Sequence, residues 1–318
     1  MGERDALVPA AYVVIGAQMY ILRKRSGLSQ DEAARHLGLR FAVVSRLERG
    51  MVGLPRGRVS QLCVLYRAST AERGALLRMW DQVRSGTDPH TCTDHGPGWL
   101  ERAAYLERRA SRVRFGCTSI IPGMFQTDAY AQGLRGKVNG VWHRDPGNPS
   151  AAARPIPLRR RGPRFDPVSV VLNGAVLTLA EAEPDIMIPQ IAVLRRAVTL
   201  GMAVIRVLPQ YRERTAQGSH VSELTLSSGS GPIVVSMRET SAGAHYVSDP
   251  TRIRDLAAAL DQQELVAASP ARSLEQLRAL QQTLRATRAA ARRPPTWHPG
   301  GRRQDPRADL TGPLPDGC

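Results

Sequence analysis

The stretch Leu28-Ser-Gln-Asp-Glu-Ala-Ala-Arg-His-Leu-Gly-Leu-Arg-Phe-Ala-Val-Val-Ser-Arg-Leu-Glu-Arg-Gly50 decides how the rest of the chain is read. Ser29 is a good helix N-cap, and Glu32, three residues on, completes a capping box. Ala33, Ala34 and Leu37 share a face that ends at Gly38, a residue that tolerates left-handed backbone. Leu39, Val43, Val44 and Leu47 open a second apolar face, and Gly50 closes it. The spacing predicts two short helices joined by a tight, glycine-containing turn. An ordinary helical hairpin has the same length, and only the residue pattern separates it from a helix-turn-helix.

Working outward, Ile15, Met19 and Leu22 fall at helical spacing before this stretch, and Leu62, Leu65 and Tyr66 follow it. With Arg23-Lys-Arg-Ser-Gly-Leu-Ser-Gln30 and Ser45-Arg-Leu-Glu-Arg-Gly50, the region over about residues 15–67 resembles the lambda-repressor/Cro type of helix-turn-helix, the Xre family of transcriptional regulators. The resemblance implies that Arg23 pairs with Glu48 and pins the first helix to the recognition helix. It also implies that Phe41, Ala42 and Arg46 face base edges, with Ser45 permitting close approach. Gln30, Arg40, Arg49 and Arg56 would face phosphates. Double-stranded DNA is then the partner, bound by a homodimer on half-sites about one helical turn apart. Arg46 can bond both acceptors of a guanine, whereas Phe41 and Ala42 offer only packing against thymine methyls. Arg40 stands where a serine or threonine cap is common, so the second helix is weakly capped.

At 318 residues the chain is too long for one small core, and two domains are expected. Hydrophobic residues at 42% and charged residues at 23% match soluble globular chains. The net charge is +16, from 44 basic and 28 acidic residues, which favours polyanions through counterion release. Only Lys24 and Lys137 are lysine, so part of that balance reflects an arginine-rich composition. The uncharged run from Ala6 to Leu22 contains Pro9 and Gln18 and leads straight into the motif, so no secretory or membrane segment is expected. Cys63, Cys92, Cys117 and Cys318 show no CxxC spacing, which suits a reducing cytoplasm. With no phosphate loop and no nucleophile elbow, neither an enzyme nor a cofactor is expected.

The expected organisation is a mainly α N-terminal helix-turn-helix bundle of about five helices joined to an α+β C-terminal domain. Residues 1–84 form the first, with an arm over 1–11 and a last helix, Ala71–Arg84, capped by Thr70. Residues 85–98 are polar and rich in Gly and Pro, so they are expected to be a linker. His90, Cys92, Asp94 and His95 within it lack the spacing of a zinc site, so no metal is expected. Residues 99–292 form the α+β domain, beginning with an amphipathic helix over Trp99–Arg114. Strands are expected at 168–172, 203–208, 221–226, 233–237 and 244–247, and helices at 186–200, 251–267 and 270–292. The basic, Pro-rich segment 135–167 and the tail 293–318 are expected to be disordered.

Within that domain, Ile120-Ile-Pro-Gly-Met-Phe-Gln-Thr-Asp-Ala-Tyr-Ala131 resembles the P-G-L-L-Q-T-x-x-Y-A motif of an antitoxin-like C-terminal domain in actinobacterial-type Xre regulators. The resemblance implies a small partner protein encoded beside the gene, with Pro122, Gly123, Phe125, Gln126 and Tyr130 as candidate contacts. The same residues read more readily as a packed turn shaped by Pro-Gly and the aromatics. Where the resemblance expects D-E-x-x-L, this chain has Asn173-Gly-Ala-Val-Leu177 and lacks both acids. The function expected is therefore a dimeric, sequence-specific regulator; the alternative is an antitoxin-like module that sequesters a partner and binds DNA weakly or vestigially.

Overall fold

The structure, a computed structural model, describes residues 8–85, 88–118, 120–137, 165–178, 183–209, 221–228, 231–240 and 242–291. Five helices come first: α1 (Ala10–Arg25), α2 (Gln30–His36), α3 (Phe41–Glu48), α4 (Arg56–Leu65) and α5 (Thr70–Ser85). α1 is buried nearly all round, as an apolar helix at the centre of a domain must be, and it packs against α3, α4 and α5. Ala10 and Ala11, expected in a loose arm, are its first buried turn. The cap of α5 is Ser69 rather than Thr70. The Ser69 N–H donates to Glu72 Oε2 at 2.8 Å, and the Glu72 N–H donates to Ser69 Oγ at 3.2 Å. Two hydroxyl residues stand side by side there, and the glutamate three positions on selects the first.

An α+β domain follows, with β1 (Thr91–Asp94), α6 (Trp99–Arg109), β2 (Arg112–Thr118), α7 (Asp128–Lys137), β3 (Val168–Asn173), α8 (Ala175–Thr178) and α9 (Pro184–Thr199). It continues through β4 (Ala203–Leu208), β5 (Val221–Ser228), β6 (Gly231–Thr240), β7 (Gly243–Val247), α10 (Pro250–Val266) and α11 (Pro270–Ala291). The strands form one seven-stranded sheet in the order β1-β7-β6-β5-β2-β3-β4. β2, β3 and β4 run parallel, connected through α7 and α9, while β5, β6 and β7 form an antiparallel meander. The outer edge of β4 is capped by the turn between α10 and α11. There the Val207 N–H donates to Ser273 Oγ at 2.9 Å and the Ala268 N–H donates to the Val207 carbonyl at 2.9 Å. Such capping removes an open template for strand addition.

Two expectations change here. The helix expected over Trp99–Arg114 ends at Arg109, and the chain turns into β2 three residues later. Ala110 and Val113 are buried, as helical spacing requires, but Val113 and Phe115 alternate along a strand, so a 3.6-residue period ran on into a two-residue one. Residues 85–98 are not merely a connector. Thr91–Asp94 pairs antiparallel with β7 and forms an edge of the sheet. Tertiary pairing, not local propensity, decides the state of so short a segment. The segment 138–164 and the tail 292–318 lie outside the described residues.

One hydrophobic cluster includes residues from Ala10 to Leu284 and so joins the interiors of the two domains, while Val171 and Leu208 form a small second cluster against Val266 and Ala267. α1 packs on β1, β7 and α6, which seats the helical bundle on one end of the sheet. A polar fastener lies inside this junction. Arg102, only 2% exposed, donates Nε and Nη2 to the two carboxylate oxygens of Asp94 at 2.6 and 2.7 Å. Its Nη1 reaches Gln18 Oε1 at 2.5 Å and the Pro97 carbonyl at 2.7 Å, and Nη2 also reaches the Gly96 carbonyl at 3.0 Å. A buried guanidinium is tolerated only with its donors satisfied, and these bonds hold α1, β1 and α6 in one register.

Candidate nucleic-acid interface

The capping box forms at the start of α2 as its sequence predicts. The Glu32 N–H donates to Ser29 Oγ at 3.1 Å, and the Ser29 N–H donates to Glu32 Oε2 at 2.7 Å. The Ser29 N–H and the Ser29 hydroxyl, each donating to Glu32 Oε2 at 2.7 Å, hold that carboxyl below its ordinary range. α2 gives way to the turn at Gly38, whose φ of 62° lies in the left-handed region. α3 starts at Phe41 behind Arg40, which makes no side-chain cap bond, so the weak cap is real.

α3 is two-faced. Val44, Leu47 and Glu48 are buried, whereas Phe41, Ala42 and Arg46 are exposed and Ser45 and Arg49 half-buried. Phe41 is 52% exposed, a large apolar ring in water at the very start of the helix. The buried end is held by Arg23. Its Nε donates to Glu48 Oε1 at 2.5 Å, its Nη2 donates to Glu48 Oε2 at 2.9 Å, and its Nη1 donates to the Leu28 carbonyl at 2.7 Å. The expected pair is therefore formed, bidentate and almost dry, with side-chain exposures of 6% and 2%. Gln30, expected to face a phosphate, donates Nε2 to Glu48 Oε2 at 2.6 Å, so its amide extends the same cluster.

The basic residues around α3 differ in availability. Arg40 and Arg46 are exposed. Arg49 Nε bonds back to the Ser45 carbonyl at 3.2 Å, and Arg56 forms a two-point pair with the exposed Asp81. An exposed pair of this kind exchanges partners at little cost. Arg58 lies exposed nearby, on α4, and donates to the Leu37 carbonyl at 3.0 Å.

Sequence reasoning missed two features that set this geometry. Gly16 lies where α1 and the end of α3 touch. A Cβ there would stand 2.4 Å from the Leu47 carbonyl oxygen and 2.8 Å from the Gly50 nitrogen. Its signal was a glycine inside an otherwise apolar helix. The second feature is α6, whose Arg109 Nη1 donates to the Glu48 carbonyl at 3.1 Å and whose Tyr105 ring stacks on Tyr20 at 4.6 Å. Nothing local in the sequence marks that contact.

The candidate partner residues of the 120–131 segment are mostly internal. Pro122, Phe125 and Tyr130 are buried, Gln126 is half-buried, and Gly123 is exposed. Gln126 Nε2 donates to the Ile121 carbonyl at 2.7 Å, and the Ile121 N–H donates to the Tyr130 hydroxyl at 3.3 Å. Gln190 on α9, fully buried, donates to the Phe125 carbonyl and accepts from the Thr127 N–H, both at 2.7 Å. The segment is thus a packed turn clamped onto α9. In the 85–98 stretch, Asp94 is taken up by Arg102, and burial pushes the Cys92 thiol up to about 12. Among the described residues no group of three His, Cys, Asp or Glu side chains is placed to hold a metal ion. Among them, too, no helix is long and apolar enough to cross a membrane.

Comparison with known proteins gives two matches. A family model described as a helix-turn-helix domain matches residues 14–76, which spans α1 into α5. A model described as a domain of unknown function (DUF5753) matches residues 100–279, from α6 into α11. No curated protein and no solved structure matches the chain.

Proposed function

We propose that this chain, which belongs to the DUF5753 family and carries a helix-turn-helix domain ahead of that domain, is a cytoplasmic, sequence-specific transcriptional regulator of the Xre type. It binds duplex DNA as a homodimer, is not an enzyme, and takes its regulatory input from an effector or a small partner protein on the α+β domain. One observation carries the reading. Phe41, Ala42 and Arg46 share the free face of a helix whose other face is locked by the bidentate Arg23–Glu48 pair. A rigid helix with a free N-terminal half is the shape that enters a major groove. Arg46 reads guanine and Arg40, Arg49 and Arg56 hold the backbone, so phosphates supply much of the affinity. The antitoxin-like alternative gains nothing from residues 120–131, since Phe125 and Tyr130 are committed to the interior.

The test is enrichment of a randomised duplex pool by the full chain, followed by gel shifts. A defined sequence should be enriched, and Arg46→Ala should lose about 1–3 kcal/mol of discrimination at a G·C position. Enrichment of no sequence, or an unchanged preference in the variant, overturns the proposal.

A further inference from the structure

We infer that Tyr105 and Arg109, both on α6 of the α+β domain, are positioning residues for the recognition helix, so that the pose of α3 is set from outside the helix-turn-helix domain. The inference rests on the DNA-binding reading above.

Glu48 is held twice. Its carboxylate is gripped by Arg23 of α1, and its backbone carbonyl accepts from Arg109 at 3.1 Å. As the last residue of α3 it carries one of the helix-end carbonyls without an intrahelical partner, and a guanidinium there also lies favourably on the helix dipole. The two grips are joined through aromatic rings. Tyr105 stacks on Tyr20 with ring centres 4.6 Å apart and planes 25° apart, and the Arg23 guanidinium lies 5.5 Å from the Tyr20 ring centre. Tyr105 and Arg109 stand one helical turn apart on α6, so both contacts come from neighbouring positions of one helix. Gly16 lets the backbone of α1 approach the Leu47 and Glu48 carbonyls closely.

α6 is itself immobilised. Arg102, on the same helix, is bound to Asp94, Gln18, Gly96 and Pro97 in the buried junction. The C-terminal end of α3 is therefore packed on α1 and tied, through Arg109, to an element of the neighbouring domain. Any shift of α6 moves Glu48, and a helix pivoted at that end changes the angle at which Phe41 and Arg46 meet a groove.

The full chain is compared with Arg109→Gln, with Tyr105→Ala/Arg109→Gln and with Tyr105→Phe. The probes are the duplex that the wild type enriches and a scrambled duplex of the same composition. The double variant should bind the enriched duplex about tenfold more weakly. The scrambled duplex should change by less than about twofold, because no phosphate contact is lost. For the same reason the salt slope should hold, whereas a direct phosphate contact would lower it by about one. Arg109→Gln should lie between, and Tyr105→Phe, which keeps the stack, should match the wild type. Without DNA, the amides of α3 should exchange hydrogen faster in the double variant while those of β5 and β6 do not.

Unchanged affinity for the enriched duplex, equal losses on both duplexes, or a reduced salt slope overturns the inference alone. A wild-type chain that enriches no sequence overturns the DNA-binding reading and this inference with it.

Discussion

Arg23 and Glu48 meet as a two-point ion pair almost free of water, and Gln30 adds a third bond to the same carboxylate. The pair joins α1 to the end of the recognition helix. Its role is geometric, because the desolvation of two charges offsets most of their attraction. That asymmetry gives the first prediction. Glu48→Gln leaves the Arg23 charge buried without its counterion and should cost about 3–5 kcal/mol, read as a drop in the chemical unfolding midpoint. An Arg23→Met/Glu48→Leu chain should recover much of that stability. Equal stability in the single variant and the wild type would show that the pair is not buried in solution.

Gly16 should tolerate no side chain. A Cβ at 2.4 Å from the Leu47 carbonyl must push α3 away from α1. Gly16→Ala is therefore expected to destabilise by about 1–3 kcal/mol despite the better helix propensity of alanine. Denaturant titration checks the sign, and a stabilised variant would mean the two helices do not touch there.

Glu72 ties α5 to α1 in a pH-dependent way. Burial alone would raise its carboxyl, but the two-point bond from Arg25 and the bonds to Ser69 outweigh it and hold the pKa below the ordinary 4.5. The stabilisation is thus fully present above the unfolded value and is lost as pH falls through the folded one. Glu72→Gln should be less stable than the wild type at neutral pH, and the difference should close as the pH is lowered below 4.5. Parallel stability curves would remove the tie.

Gln190 should be more costly to replace than its polarity suggests. Gln190→Leu strands the Thr127 N–H and the Phe125 carbonyl inside the domain, and each lost partner costs about 1–3 kcal/mol. Thermal melting reads the loss, and limited proteolysis should open the 120–131 turn first. A variant that melts and resists cleavage like the wild type would show the clamp to be dispensable.

Short-range patterns made much of this molecule legible. Ser29, Glu32 and Gly38 mark the bounds of α2 by rules that act within a few residues; a short apolar run located β3, an apolar run stopped by Pro209 located β4, and alternation located β5, with β6 and β7 following as further short apolar stretches. β2 was hidden because Ala110 and Val113 prolong the helical period of α6 across its true end. β1 was hidden because Thr-Cys-Thr-Asp has no strand signal until β7 lies beside it.

Residue order by itself determined the two-helix motif, because capping, glycine turns and apolar period are local properties, while the partnership of Arg23 with Glu48 and the outward face of α3 were implied by the resemblance to the Xre helix-turn-helix. Only the tertiary structure decided that Gln30 joins that pair, that Phe125 and Tyr130 face inward, and that Tyr105 and Arg109 of the second domain reach the recognition helix. Those are contacts between residues far apart in the chain, and their formation depends on how whole elements pack around a shared core.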